Sequence, residues 1–164
     1  MITQTTGTLD YTLDFIRQQI ADLTDEELVL QPTGAPNHAA WTLGHIIHSC
    51  QAIVNELGKE ASSSTEWESR FGYGTRPNRT ASENFTKSQL LTNLAETSHR
   101  LRAAIQALDT RTLDEPPSEG DMREMFPTKG HELMQVVVAH TAYHAGQLAA
   151  WRRAIGRAPV GVFV

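Results

Sequence analysis

The run His140-Thr141-Ala142-Tyr143-His144-Ala145-Gly146-Gln147-Leu148 decides how this chain is read. Its two histidines are four residues apart, about one helical turn, so both imidazoles leave one face and can reach one ion from the same side. They also sit in an apolar stripe, Leu133, Val137, His140, His144, Leu148 and Trp151, spaced as on a core-facing helix. The histidines therefore point inward, with the geometry of half a metal site.

Working outward, Thr128 is placed to cap this helix, which should run to about Ala154 or Ile155 and stop at Gly156 and Pro159. A first helix is predicted from about Thr6 to Leu23, where Leu9, Leu13, Ile16, Ile20 and Leu23 repeat at helical spacing opposite Asp10, Asp14, Arg17 and Gln18. Thr24-Asp25-Glu26-Glu27 reads as a capping box. Residues 31–36 break the chain, and Asn37 is the expected cap of a second helix that ends near Leu57, with Gly58 as a left-handed terminator. A third helix follows Thr86, with Gln89 as capping partner, and turns Leu90, Leu94, Leu101, Ile105 and Leu108 inward. Between the second and third helices, Lys59 to Phe85 shows no sustained period, only Ser62-Ser63-Ser64, glycines, Pro77 and the aromatics Trp67, Phe71 and Tyr73. This stretch is expected to be a long strap pinned to the helices by those aromatics. Asp109 to Pro127 is a second polar connection, with Pro116-Pro117 and Gly120.

Four helices with little strand signal and no internal repeat point to an all-α fold, a four-helix bundle, as one domain over residues 1–164. Hydrophobic residues make up 40% and charged residues 20%, values of an ordinary folded chain rather than a disordered one. The net charge of -5 argues against a nucleic-acid partner, which calls for a basic face. Neither a secretory signal nor a membrane span is visible, so the expected location is the cytoplasm. The single cysteine, Cys50, lies in a helical apolar pattern and is read as a small buried hydrophobe.

Two histidines hold a divalent ion poorly, so a metal reading needs a ligand from a second helix. Trp41-Thr42-Leu43-Gly44-His45-Ile46-Ile47-His48 offers His45 and His48, both on the side of the helix that carries Trp41 and Ala52. Periodicity does not choose between them. The opposite side carries Leu43, Ile46, Ile47, Cys50, Val54 and Leu57, so this helix should be buried twice, once in the bundle and once against a loop or a second subunit. His38 reads as part of a helix start, His131 as part of the first turn of the fourth helix, and His99 as a core or surface residue. The residues alone leave open whether His140 and His144 bind metal or form a hydrogen-bonded structural pair.

Asn37-His38-Ala39-Ala40-Trp41-Thr42-Leu43-Gly44-His45 and the His140 to Leu148 run together resemble the two signatures of the DinB-like superfamily, which includes the YfiT-type metal-dependent hydrolases. The resemblance covers nearly the whole chain. It implies an up-down four-helix bundle, often dimeric, with three histidines around a divalent metal, commonly zinc or nickel. On this chain those ligands fall on His45, His140 and His144. Relatives include hydrolases and thiol-dependent isomerases and transferases, which implies a small-molecule substrate and, in some cases, a low-molecular-weight thiol partner.

Three neutral imidazoles leave the ion its full charge and an open position, a donor set suited to catalysis more than to scaffolding. Thr141 stands where a zincin protease motif needs its glutamate, and neither a phosphate-binding glycine loop nor a serine nucleophile elbow occurs. Tyr143, Gln147, Arg152 and Arg153 are candidate helpers, with Tyr143 expected to pack and the arginines to lie in solvent. The competing reading is a non-catalytic dimeric helical module whose histidines are structural.

Overall fold

Thr24, Thr86 and Thr128 each begin a helix. A computed structural model describes residues 2–58, 65–117 and 121–161, whose regular elements are all helical, with no strand among them. In chain order the helices are α1 (Ile2–Ile20), α2 (Asp25–Leu28), α3 (Ala39–Gly58), α4 (Thr65–Phe71), α5 (Lys87–Gln106), α6 (Asp121–Met125), α7 (Lys129–Met134) and α8 (Thr141–Ala154). Short 3-10 turns lie at Ala81–Glu83 and Thr110–Asp114, and a π-helical stretch, Gln135–His140, joins α7 to α8. Thr24 and Thr86 form full capping boxes with Glu27 and Gln89, and the Thr128 hydroxyl accepts the amide of His131. Each cap satisfies amides that the first helical turn leaves without partners.

The expected stripes are the ones that bury. Leu9, Leu13, Ile16 and Ile20 of α1, Leu43, Ile46 and Ile47 of α3, Leu90, Leu94, Leu101 and Ile105 of α5, and Leu148 and Trp151 of α8 join one apolar cluster. Cys50 is buried among them, where desolvation pushes its thiol up to about 12 and leaves it chemically quiet.

Several local readings need correction. The first helix is displaced, starting at Ile2 and ending at Ile20, so Leu23 is buried just beyond it in the turn toward α2. His38, not Asn37, caps α3: its Nδ1 accepts the Trp41 amide, the role normally filled by a side-chain oxygen. Gly58 is the last helical residue of α3 and does not take the left-handed conformation; Gly156, at φ +83°, does so after α8. The strap contains a helix, α4, whose Trp67 and Phe71 bury while Tyr73 stands fully in solvent. Trp67, Phe71 and Phe85 pack as an aromatic group, with Trp67 stacked on Phe85. Ser62-Ser63-Ser64 and Gly120 lie outside the described residues. Helix α3 is buried on both sides, against α5 and against α4, so its second apolar side is met by the strap.

Arg152 does not lie in solvent. It is 3% exposed and forks onto both carboxylate oxygens of Asp22 at 2.6 and 2.9 Å, while also donating to the carbonyls of Gln19 and Ala158. The arginine ties the end of α8 to the end of α1 and to the chain beyond Gly156. Its hydrogen bonds hold the Asp22 carboxyl down at about 2. Because the folded value lies below the ordinary 3.8, this contribution is complete above that pH and fades as pH falls through about 2. Asp22→Asn should leave a buried guanidinium short of its counter-charge and lower stability by about 2 kcal/mol, moderated by solvent on the aspartate side. Urea denaturation at neutral pH measures it, and an unchanged midpoint would show that the carbonyl contacts alone suffice.

Candidate metal centre

His45 comes from the middle of α3, His140 closes the π-helical stretch and His144 lies in the first turn of α8. The fold brings these three rings together. The Nε2 atom of His140 lies 3.1 Å from Nε2 of His45 and 3.1 Å from Nε2 of His144. The three rings offer one ligand atom each, all within 4.8 Å of one another, a cluster that could hold a metal ion.

The other ring nitrogens decide which atoms carry protons. His45 Nδ1 donates at 2.6 Å to the backbone carbonyl of Phe71, an acceptor with no proton to give. His144 Nδ1 donates at 2.8 Å to the amide oxygen of Gln147. Each of these neutral rings therefore turns an Nε2 lone pair toward His140. His140 Nδ1 is buried without a hydrogen-bond partner. A proton on His140 Nε2 could serve one neighbour well and would leave the other lone pair unmatched. A divalent cation removes the conflict, since three imidazoles at 2.0–2.1 Å in near-tetrahedral geometry set nitrogens roughly 3.3 Å apart. The donor set fits such an ion.

Electrostatics keep the ligands in the form that binds. Burial, reinforced by the neighbouring imidazoles, lowers His140 and His144 to about 4, and burial also lowers His45. Near neutral pH all three rings are uncharged.

The structure separates the two candidates on α3. His45 joins the cluster; His48, about one turn on, is half-buried with its Nδ1 unpartnered and stays outside it. Gln147 meets the site through His144. Tyr143 does not pack into the core: it is 64% exposed, its ring set edge-on to His144 at 5.2 Å. Arg152 is committed to Asp22, and Arg153 is exposed. His131 and His99 are exposed, and His38 is fully buried at the start of α3. One contributor escapes a reading of side chains: the Phe71 carbonyl is backbone and leaves no sequence signature. Trp41, which helical spacing sets on the same side as His45, stacks on that ring with centroids 4.8 Å apart and planes 10° from parallel.

Comparison with known proteins bears on the family and the fold. A family model described as the DinB superfamily matches residues 8–148. A crystal structure described as the conserved protein of locus from Enterococcus faecalis superposes with a TM-score of 0.76, covering 96% of this chain and 98% of that one. At 17% identity the likeness speaks for the fold alone. No curated protein matches the chain.

Proposed function

Because the chain belongs to the DinB superfamily, we propose that His45, His140 and His144 hold one divalent transition ion, zinc or nickel, and that the protein is a metal-dependent enzyme acting on a small molecule. In this reading the long helices α1, α3 and α5 and the continuous run from α7 to α8 form an up-down four-helix bundle, with the metal between the second and fourth of them. The reaction is hydrolysis, or transfer to or from a low-molecular-weight thiol. One observation carries the proposal: the Nε2 lone pairs of His45 and His144 both face His140 Nε2 at 3.1 Å, which suits a shared cation.

An ion held there would supply Lewis acidity, able to bring a water at its open position to a pKa near ~7 or to hold a substrate thiol as its thiolate. The chain's own residues do the rest. Phe71 and Gln147 fix two ligand rings by their Nδ1 protons, so little reorganisation is needed when the ion enters. The Trp41 ring covers one face of His45 and shields it from water. Tyr143 presents a largely exposed ring beside His144, placed to meet an incoming substrate.

Protein prepared without a polyhistidine tag should bind about one equivalent of zinc or nickel per chain by elemental analysis after reconstitution. Less than roughly a tenth of an equivalent of any divalent transition ion would overturn the reading. A requirement for added thiol during turnover separates transferase from hydrolase.

A further inference from the structure

Three ring N–H groups on one face of α3 reach across to the strap. His38 Nε2 donates to the carbonyl of Asn78 at 2.7 Å, Trp41 Nε1 to the hydroxyl of Thr75 at 3.1 Å, and His45 Nδ1 to the carbonyl of Phe71 at 2.6 Å. The proton on His38 is fixed in the same way as that on His45, because His38 Nδ1 is occupied in accepting the Trp41 amide. The donors lie at 38, 41 and 45 and their acceptors at 78, 75 and 71, so steps of three and four residues on the helix meet steps of three and four on a segment running the other way. The segment holds its own shape: the Thr75 hydroxyl donates back to the Gly72 carbonyl at 2.8 Å, and Gly74 takes the turn at φ +78°.

Gly44 sets how closely the two pieces meet. A Cβ built on Gly44 would lie 2.4 Å from Phe71 Cδ1 and Cε1, so the Phe71 ring rests directly on the bare helix backbone one residue before His45. That seating brings the Phe71 carbonyl within reach of His45 Nδ1.

Resting on the metal reading above, we infer that the Phe71–Asn78 segment, laced to α3 by His38, Trp41 and His45 and seated on Gly44, is what turns His45 Nε2 toward the ion. His38, Trp41, Gly44 and Thr75 are then positioning residues for a ligand they do not replace. The first signature of the chain, Asn37 to His45, thus encodes one ligand together with the apparatus that aims it. Metal affinity depends on a side chain such as Thr75, thirty positions from the nearest ligand in sequence.

The test pairs Thr75→Val, which keeps shape and removes the hydroxyl, with Thr75→Ser, which keeps the hydroxyl, and adds Gly44→Ala. Zinc affinity is measured by competition with a chromophoric chelator, the Co(II) absorption spectrum reports ligand geometry, and the metal-free melting temperature is followed in parallel. Thr75→Val and Gly44→Ala should each weaken zinc binding by roughly 10–100-fold, the range for losing support behind a ligand, with an altered Co(II) spectrum, while Thr75→Ser stays close to the parent. If Gly44→Ala does not fold, the Thr75 pair decides. Affinities within about threefold of the parent in folded Thr75→Val would overturn the inference. Nitrogen-15 spectra of the metal-free parent provide a separate reading: the His45 proton should be on Nδ1. A proton on Nε2 overturns the lacing even if metal binds, whereas an Nδ1 proton in a chain that binds no metal leaves the lacing intact and defeats the metal reading.

Discussion

His140→Ala should remove stoichiometric metal binding. Losing support behind a ligand costs about 10–100-fold in affinity, and losing the ligand itself should cost more, roughly 1,000-fold or about 4 kcal/mol. His140 is the ring both others face, so its removal leaves the Nε2 atoms of His45 and His144 with no common partner at 3.1 Å. The metal-free protein should largely tolerate the change, because His140 is only partly buried, its Nδ1 has no hydrogen bond to lose and its Nε2 proton can serve only one neighbour. Calorimetry of the parent should therefore show a melting temperature that rises with zinc, and the variant should show the parent's metal-free value whether or not zinc is present. A variant that still takes up one tightly held equivalent would mean that the cluster is not the site. His48→Ala is the matched control and should keep the ion.

Acid should both empty the site and weaken the metal-free fold. His140 and His144 sit at about 4 in the folded chain, against an ordinary 6.5, chiefly because burial penalises the charged rings. The folded state thus takes up fewer protons than the unfolded one between these values, so the stability is fully present above about 6.5 and drains away as pH falls toward 4. At about 1.4 kcal/mol per pH unit, each ring accounts for roughly 3 kcal/mol, and because the two repel each other when charged the losses do not simply add. Chemical denaturation of the metal-free protein at pH 7 and pH 4.5 measures this, with His140→Ala showing a shallower dependence. Metal release should follow the same direction, since protons compete for the same lone pairs. A flat stability curve over that range would mean that the rings are solvated, contrary to their placement.

The parts of the fold legible in the sequence share a local cause. Caps at Thr24, Thr86 and Thr128 and the stripe of Leu90, Leu94, Leu101 and Ile105 are set within a few turns of chain, so spacing and residue type suffice. The pairing of His140 with His144 is of that kind. The third member of the cluster is not: spacing puts His45 and His48 on one face, and only packing of α3 against the last helical run brings His45, and not His48, beside the pair. Helix α4 leaves no legible period in the sequence, because seven residues are too few to show one. The burial of Arg152 is not legible locally, because its partner Asp22 lies 130 residues away. An arginine near a helix end otherwise belongs in solvent. Tyr143, expected to pack, is instead turned outward by the helix, edge-on to His144.

The π-helical stretch from Gln135 to His140 sits directly before α8, and there the Thr141 hydroxyl reaches back to the Val136 carbonyl at 3.0 Å. Such a stretch holds one residue more than regular winding needs, so it works as a spacer between two stretches of ordinary helix. Losing one of the codons for Val136, Val137 or Val138 would leave every histidine encoded and let ordinary winding run unbroken from α7 into α8, so the surplus residue can be given up without turning the pair away from the face that Leu133 anchors upstream. A one-residue loss is thus absorbed best in this stretch, whereas the same loss inside α8, between His140 and His144, would turn one ring by about 100° relative to the other.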